Sequence, residues 1–280
     1  MAEKPKHLDP SELGTREYWD KLYTTEIANH AANPDDIGTV WFDDSDAESK
    51  MLAFLDRLAG NIPDSGSEAS SSSDPESSSS PQTVTATSLC KESASIVDLG
   101  CGNGSILFAL RARGWLGPLA GVDYSAHSIR LASQIAAAAS TQEPPSSFAI
   151  RFVECDLLHG PPLSSLLPAP NTFDVVLDKG TFDAISLSDA TDDRDRRACE
   201  GYRARVLPLL PVGGLFLITS CNWTEDELRG WFVGGEGVDG AVFEEAGRVK
   251  YRSFSFGGVS GQTISTLCFR KVSSQASSSR

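Results

Sequence analysis

The chain has 280 residues, of which 40% are hydrophobic and 22% are charged, so it has enough apolar side chain for a core and is not globally disordered. Its formal net charge of −14 argues against nucleic acid as a partner, because binding a polyanion normally needs a basic patch. The same charge fits a basic protein partner and, equally well, simple solubility, since a net charge does not say where the charges lie.

The first predicted elements are two helices, in a helical extension over residues 1–62 that we expect to pack on the rest of the chain. The side chains that gather on one side of the first helix are Tyr18, Trp19, Leu22, Tyr23 and Ile27. The apolar stripe of the second helix consists of Met51, Leu52, Leu55 and Leu58. Ser45 and Glu48 are predicted to form a capping box at the start of this second helix, and Arg57 followed by Gly60 marks its end.

Two serine-rich stretches are predicted to be disordered, because they have too few large apolar groups to offset the entropy lost when a backbone is ordered. One is an insert over residues 63–92, and the other is a tail over residues 272–280. The predicted core lies between these two stretches, over residues 93–271.

Within that core, short apolar runs alternate with helical patterns. The predicted strands are SIVDLG, PLAGVD, FAIRFVECD, FDVVLD and GGLFLITS, followed by two β-rich runs near Ala241–Phe254 and Thr263–Arg270. The predicted helices are SILFALRARG, SAHSIRLASQIAAAA and one around Arg194–Leu209. Strands that alternate with crossover helices predict an α/β fold with a doubly wound, mostly parallel sheet, whose ligands bind at the carboxyl ends of the strands.

A glycine-rich turn follows the first strand of the core, which ends near Asp98. The turn consists of Gly100, Cys101, Gly102, Asn103 and Gly104. Its glycines permit positive φ and let a ligand approach the backbone, although glycine also serves in turns that bind nothing. A dinucleotide site would place a glycine or alanine where Ser105 stands. Asp98 suits a cationic ligand better than a diphosphate, and S-adenosylmethionine has an ammonium group, a sulfonium and no phosphate.

Acidic residues also follow the next two strands. Asp123, followed by Tyr124, ends the second strand, where a carboxylate can accept hydrogen bonds from both ribose hydroxyls. Alternatively, Asp123 only helps to cap the helix after Ser125. Asp156 and Leu157 follow the third strand, where they would meet an adenine amine and an adenine ring face.

These strand ends resemble the seven-β-strand methyltransferase superfamily, whose glycine loop, ribose-binding acid and adenine-side acid correspond to Asp98–Gly104, Asp123 and Asp156. The resemblance implies S-adenosylmethionine as the cofactor. It also implies a Rossmann-like class I methyltransferase fold, with a seven-stranded sheet whose last strand is antiparallel, consistent with the run TISTLCFRK.

Four further segments narrow the likeness: GTREYWDKLY, WFDDSDAESKM, VDLGCGNGSILFALRARG and VLDKGTFDAISL. Together they resemble the protein-lysine methyltransferases that modify translation elongation factor 1-alpha, over most of residues 11–270 outside the insert. The resemblance implies protein-lysine N-methylation of that factor. The fourth strand is not followed by an [N/D]-P-P-[Y/F] motif, which argues against methylation of DNA adenine or of glutamine.

The fourth strand ends at Asp178, a position that faces the transferred methyl group in such folds. We expect Asp178 to act in catalysis by orienting the substrate amine or the methionine end of the cofactor, and Phe182 to wall a channel for the lysine. No general base is evident. Lys179 is interpreted as a surface or helix-start residue.

Trp41 and Phe42 precede an acidic run that contains Asp43, Asp44 and Asp46. In one interpretation Trp41 closes over the cofactor and the carboxylates meet a basic substrate surface. In the other, Trp41 packs in the core and the acids interact with the dipole of the following helix. The sequence supports the two equally.

Other functions stay open at this point: a small-molecule methyltransferase, a non-enzymatic methyltransferase-fold binding module and an NAD oxidoreductase. We expect a monomeric cytoplasmic enzyme with no nucleic-acid, membrane or metal partner, because no stretch approaches roughly 18 consecutive apolar residues and the polar start is unlike a secretory signal. The six cysteines are scattered without a CxxC pair, and we expect reduced thiols without disulfides or zinc.

Overall fold

The structure is a computed structural model that describes residues 5–60, 89–140, 149–166, 172–192, 194–234, 237–252, 254–256 and 259–274. Most of the predicted serine-rich insert, and the predicted tail from residue 275 onward, lie outside the described residues. Leu89 is buried and Lys91 forms an ion pair with Asp56, so the packed core begins before residue 93. At the other end the last strand continues to Ser273, beyond the predicted boundary at residue 271.

One large sheet organises the chain. Its strands are β1 (Ile96–Leu99), β2 (Leu119–Asp123), β3 (Arg151–Glu154), β4 (Val175–Lys179), β5 (Leu215–Ser220), β6 (Ala241–Val249) and β9 (Ser265–Ser273). The seven strands lie in the order β3-β2-β1-β4-β5-β9-β6. β1 to β5 pair in parallel, and β9 runs antiparallel to β5 and β6. The predicted doubly wound sheet with an antiparallel last strand is therefore confirmed. A separate ribbon pairs β7 (Phe254–Phe256) with β8 (Val259–Gly261).

Helices cover both faces of the sheet. They are α1 (Arg16–Ala32), α2 (Ala47–Gly60), α3 (Ser105–Ala112), α4 (Ala126–Ser140), α5 (Leu163–Leu166), α6 (Thr181–Ser186), α7 (Cys199–Val206) and α8 (Glu225–Phe232). α7 is shorter than the predicted helix over 194–209, since its last turn continues as a 3-10 helix. α8 was not predicted, although Thr224 and Glu227 form a capping box at its start.

Successive residues of each strand point to opposite faces, and each face has its own apolar core. The core on the α7 and α8 side includes Val97, Leu99, Val176, Phe182, Tyr202, Phe216 and Phe232. The core on the α2 and α3 side includes Met51, Leu55, Ile96, Leu107, Trp115 and Leu177. This alternation decides which polar residues at the strand ends can meet.

The start of α2 differs from the prediction. The helix begins after Asp46, which follows a short 3-10 turn and has a left-handed conformation with a φ of 53°. The carbonyl oxygen of Asp46 accepts a hydrogen bond from the N–H of Lys50 at 3.0 Å. The carboxylate of Glu48 does not form the predicted capping box with Ser45. It accepts a hydrogen bond of 2.6 Å from Ser105 Oγ, so it joins α2 to the first turn of α3.

The inner face of α1 is more polar than predicted. It buries Tyr23, Glu26 and His30, while most of the predicted apolar stripe is half-buried. Glu26 Oε1 accepts from the N–H of Thr39 at 2.8 Å, and His30 Nδ1 lies 2.8 Å from the carbonyl oxygen of Asp36. These bonds hold residues 36–42 against α1, and we call this segment the strap.

The six cysteines are free thiols, and Cys101, Cys155, Cys199 and Cys268 are buried. Within the described ranges, no helix is long and apolar enough to cross a membrane. The same residues contain no group of three or more histidine, cysteine or acidic side chains arranged to hold a metal ion.

Candidate active site

The carboxyl ends of β1 to β4 open into one cavity of about 350 Å³, a size typical of small-molecule sites. With the exception of Gly104, the residues predicted to bind the cofactor line this cavity: Trp41, Asp98, Gly100, Cys101, Gly102, Asn103, Asp123, Tyr124, Asp156 and Leu157. Gly104 sits at the N-terminus of α3. The structure therefore brings together groups from four separate strand ends and the strap.

The glycine loop needs its glycines for backbone conformation and for space. Gly100, Gly102 and Gly104 have φ values of 66°, 54° and 83°, in the left-handed region that favours glycine. A Cβ on Gly102 would lie 2.8 Å from Tyr23 Oη, and one on Gly104 would lie 2.9 Å from the Phe152 ring. The loop is thus fitted closely between α1 and β3, with its backbone exposed to the cavity.

Asp123 joins the loop to the following helix. Its Oδ2 accepts from the N–H of Gly102 at 3.1 Å, and its Oδ1 accepts from the N–H of Ser125 at 2.9 Å. Burial raises the pKa of this carboxyl, which is 6% exposed and lines the cavity. Asp123 can therefore cap the following helix and face the cavity at the same time, because one carboxyl group can accept several hydrogen bonds.

Asp156 occupies the corresponding position after β3. Its Oδ1 accepts from the N–H groups of Leu158 and His159 at 2.9 and 3.0 Å. Partial burial works to raise the pKa of Asp156, but these hydrogen bonds hold it below its usual value. The side chain is therefore a fixed, ionised acceptor at the cavity wall.

Lys179 lines the cavity, so the surface interpretation is wrong, whereas the helix-start interpretation agrees with its place just before Gly180, the N-cap of α6. Its side chain is 10% exposed, and Nζ donates to the carbonyl oxygen of Trp41 at 3.2 Å and lies 3.9 Å from Glu48 Oε2. Burial raises the pKa of Asp98, while the nearby charge of Lys179 opposes that rise. The two side chains thus form a region of opposite charges at the ends of β1 and β4.

Asp178 lies beneath the cavity and does not line it, which corrects the expectation that it contacts the amine or the cofactor. It is fully buried and accepts hydrogen bonds from the N–H of Thr181 at 2.9 Å, the N–H of Phe182 at 3.1 Å and Tyr202 Oη at 2.6 Å. The strand alternation explains the difference, because the residue after Leu177 points to the α7 side of the sheet. Asp178 is therefore a positioning residue that fixes the start of α6.

Phe182 also lies in the core, and the expectation that it walls a lysine channel is wrong. It is 1% exposed and packs on the rings of Tyr202 and Phe232 at centroid distances of 5.4 and 5.0 Å. The first turn of α6 directs Phe182 inward, and its neighbours Asp183 and Ile185 line the cavity instead.

Asp183 is a site residue that the sequence reasoning missed. Its carboxylate accepts from Ser220 Oγ and, at 2.8 Å, from the N–H of Cys221. Burial raises the pKa of Asp183 to about 6. The sequence signal for Asp183 is its place in the segment DKGTFDAI, which contains Asp178, the residue expected to face the transferred methyl group.

The N-terminal region supplies an aromatic wall. Trp41 and Trp19 both line the cavity, with ring centroids 5.1 Å apart, and Trp41 Nε1 has no hydrogen-bond partner among the described residues. Arg16, also missed, donates to the carbonyl oxygen of Tyr124 at 2.6 Å and lies over its ring. These contacts favour the interpretation in which Trp41 closes the cofactor cavity.

Asn103 uses its side chain to bind the strap. Its Nδ2 donates to the carbonyl oxygens of Ile37 and Thr39 at 2.8 and 3.2 Å, and its Oδ1 accepts from the N–H of Ser105 at 3.1 Å. Because the amide is saturated by these partners, we assign Asn103 to holding the strap against the glycine loop.

We therefore expect Asn103→Ala to weaken cofactor binding about tenfold and to lower the free energy of unfolding by about 1 kcal/mol, since two partly buried hydrogen bonds to carbonyls of the strap are lost. Calorimetry with S-adenosylhomocysteine and urea unfolding measure the two effects. Asn29→Ala, on the exposed side of α1, is the matched control. Wild-type affinity in the Asn103 variant would contradict the assignment.

Comparisons with known proteins agree with this geometry. A family model described as a methyltransferase domain matches residues 91–245. Protein-lysine N-methyltransferase EFM4 of Saccharomyces cerevisiae is 38% identical over 264 residues, covering 94% of this chain and 96% of that protein. The Schizosaccharomyces pombe efm4 protein is 34% identical over 269 residues, with coverage of 94% and 95%. Human EEF1A lysine methyltransferase 2 is 32% identical over 263 residues, with coverage of 94% and 88%. The chain therefore belongs to the methyltransferase family that includes EFM4 and EEF1A lysine methyltransferase 2.

Proposed function

We propose that this chain is an S-adenosylmethionine-dependent protein-lysine N-methyltransferase that modifies translation elongation factor 1-alpha. The observation that carries the proposal is the extent of the likeness to EFM4, which spans 94% of the chain and so includes α1 and the strap as well as the sheet. Those N-terminal elements line the cavity alongside the glycine loop. EFM4 is named as a protein-lysine N-methyltransferase, and the human relative is named for EEF1A.

The residues of the cavity fit the cofactor. Gly100 and Gly102 of the glycine loop line the cavity, and Trp41 Nε1 is a buried donor, unpartnered among the described residues, on a residue that lines the same cavity. Asp98 would hold the ammonium group, Asp123 the ribose hydroxyls, and Asp156 the adenine amine. When bound, S-adenosylmethionine supplies an electrophilic methyl group.

At the end of the cavity where the methyl group is transferred, we expect the chain's own residues to position a lysine and to favour its neutral form. Leu13, Ile185 and Leu187 give this part of the cavity apolar walls. Removing an ammonium group from water lowers its pKa, so an amine that enters here loses its proton more readily. Asp178 fixes α6, which carries Ile185 and Asp183, and so keeps this wall in place.

The rim of the cavity carries acidic groups suited to a basic substrate surface. Asp43 and Asp44 are exposed directly after the cavity residue Phe42. Partial burial, and then the charges of Asp183 and Asp44, raise the pKa of Cys221, a residue that lines the cavity, to about 12. We place the reaction in the cytoplasm, with the enzyme acting as a monomer on its protein substrate.

The test is incubation of the purified protein with S-adenosylmethionine and unmodified elongation factor 1-alpha, followed by peptide mass spectrometry. We expect methyl groups on a lysine of the factor, and much slower methylation by the Asp123→Ala variant at a limiting cofactor concentration. Cofactor binding without any methylation of the factor would contradict the proposed substrate.

A further inference from the structure

Lys179 is a buried cation to which the reaction described above assigns no role. It is the last residue of β4, and its side chain is largely enclosed. Burying the charge of a lysine costs free energy unless an opposite charge or hydrogen bonds stabilise it. A lysine that is stabilised in this way inside a ligand cavity is a candidate for ligand binding.

The strand register places Lys179 on the same face of the sheet as Asp98. Asp98 pairs with Leu177 across β1 and β4, so their side chains share a face of the sheet. Lys179 lies two residues beyond Leu177 and therefore points to the same face. Both Asp98 and Lys179 line the cavity. After burial, Lys179 has the largest effect on the pKa of Asp98, while Glu48 and then Asp98 are the charges that most affect the pKa of Lys179.

Lys179 also has bonding capacity left over. An ammonium group has three N–H donors. Among the described residues, its Nζ donates to the carbonyl oxygen of Trp41 at 3.2 Å and lies 3.9 Å from the carboxylate of Glu48. Glu48 already accepts from Ser105 Oγ at 2.6 Å, so it is shared between two partners.

We propose that Lys179 binds the carboxylate of the amino-acid end of S-adenosylmethionine, while Asp98 takes the ammonium group on the same carbon. One acid and one base on adjacent strands complement a zwitterion, because each opposite charge finds its own partner. Lys179 is then a cofactor-specificity residue that selects ligands with an intact amino acid. This inference rests on the proposed function for the identity of the cofactor.

The test compares two ligands by calorimetry: S-adenosylhomocysteine, and its decarboxylated analogue, which keeps the amine, the thioether and the adenosine. The wild-type protein is expected to bind the complete ligand at least tenfold more tightly. Lys179→Met is expected to reduce this preference to about twofold or less, chiefly by weakening the complete ligand.

Two further variants separate ligand binding from a structural role of the lysine. Lys179→Gln keeps a donor for the carbonyl of Trp41 but loses the charge, and it is expected to lose the preference as well. Lys50→Met is the control, because Lys50 also donates to a carbonyl near the strap, that of Ser45, and does not line the cavity.

Equal affinity of the wild-type protein for the two ligands would overturn the inference but would leave the proposed function standing. This comparison does not depend on whether the Lys179→Met variant folds. Retention of the preference by Lys179→Gln would assign Lys179 to the strap alone and overturn it too. Failure of the wild-type protein to bind either ligand would overturn both proposals together.

Discussion

Asp123→Ala is expected to lower the affinity for S-adenosylhomocysteine about 100-fold while the protein stays folded. The variant loses the carboxylate expected to accept from the ribose hydroxyls, and it also frees the N–H of Gly102 that shapes the glycine loop. Loss of hydrogen bonds to a charged acceptor costs about 3 kcal/mol, which corresponds to that factor. Isothermal titration calorimetry gives the affinity.

Asp123→Asn is the matched control, because it keeps one carbonyl oxygen for the N–H of Ser125 and loses only the charge and the second acceptor. Its affinity should lie between those of the wild-type protein and the alanine variant. Circular dichroism checks that both variants are folded. If alanine leaves the affinity unchanged, the ribose assignment has to be abandoned.

Asp178→Ala is expected to lower the free energy of unfolding by about 3 kcal/mol and turnover about 100-fold, with a smaller effect on cofactor affinity. The change leaves the N–H groups of Thr181 and Phe182 and the hydroxyl of Tyr202 without their buried acceptor. α6 then loses its fixed start, and with it the wall for the lysine. Urea unfolding and single-turnover kinetics measure the two effects, and equal activity would show that α6 does not organise the reacting end.

The pH dependence of stability tests the same residue. Burial raises the pKa of Asp178 to about 7, whereas the unfolded chain titrates this group near its ordinary value of about 4. The folded state therefore binds more protons between these two values, so this group makes the wild-type protein less stable as the pH rises through that range. Asp178→Asn removes the titration. Its stability relative to wild type should improve by about 3 kcal/mol from pH 5 to pH 8, and parallel curves would argue against the raised pKa.

The fold was largely predictable because its signals are local. Each apolar run between glycine-rich or polar turns became a strand, and the predicted run Thr263–Arg270 became the antiparallel β9. One error concerned a helix start. Ser45 and Glu48 matched a capping box, but the left-handed conformation of Asp46 moves the start of α2 and frees Glu48 to bind Ser105.

The cofactor side of the site was predictable for a related reason. Asp123 and Asp156 follow parallel strands directly, and parallel strands deliver their carboxyl ends to one edge of a sheet. The substrate side was harder, because it depends on which face each residue takes. Asp178 and Phe182 turn into the core, while their neighbours Lys179 and Asp183 line the cavity.

The contribution of α1 needed tertiary contacts that no local pattern contains. Trp19 and Tyr23 were identified as one side of a helix that packs on something, but their position over the glycine loop depends on long-range contacts. Tyr23 approaches Gly102, and Glu26 and Asn103 bind the strap between α1 and α2. Residues of the N-terminal region therefore complete a cavity whose other lining residues come from several separate strand ends.

The central claim is that this cavity transfers a methyl group to a lysine of a protein. The most direct test is incubation of the purified protein with methyl-labelled S-adenosylmethionine and a lysate of cells that lack the enzyme, followed by mass spectrometry of every labelled species. We expect the label on a lysine of elongation factor 1-alpha. Label confined to small molecules, or to a residue other than lysine, would contradict the account.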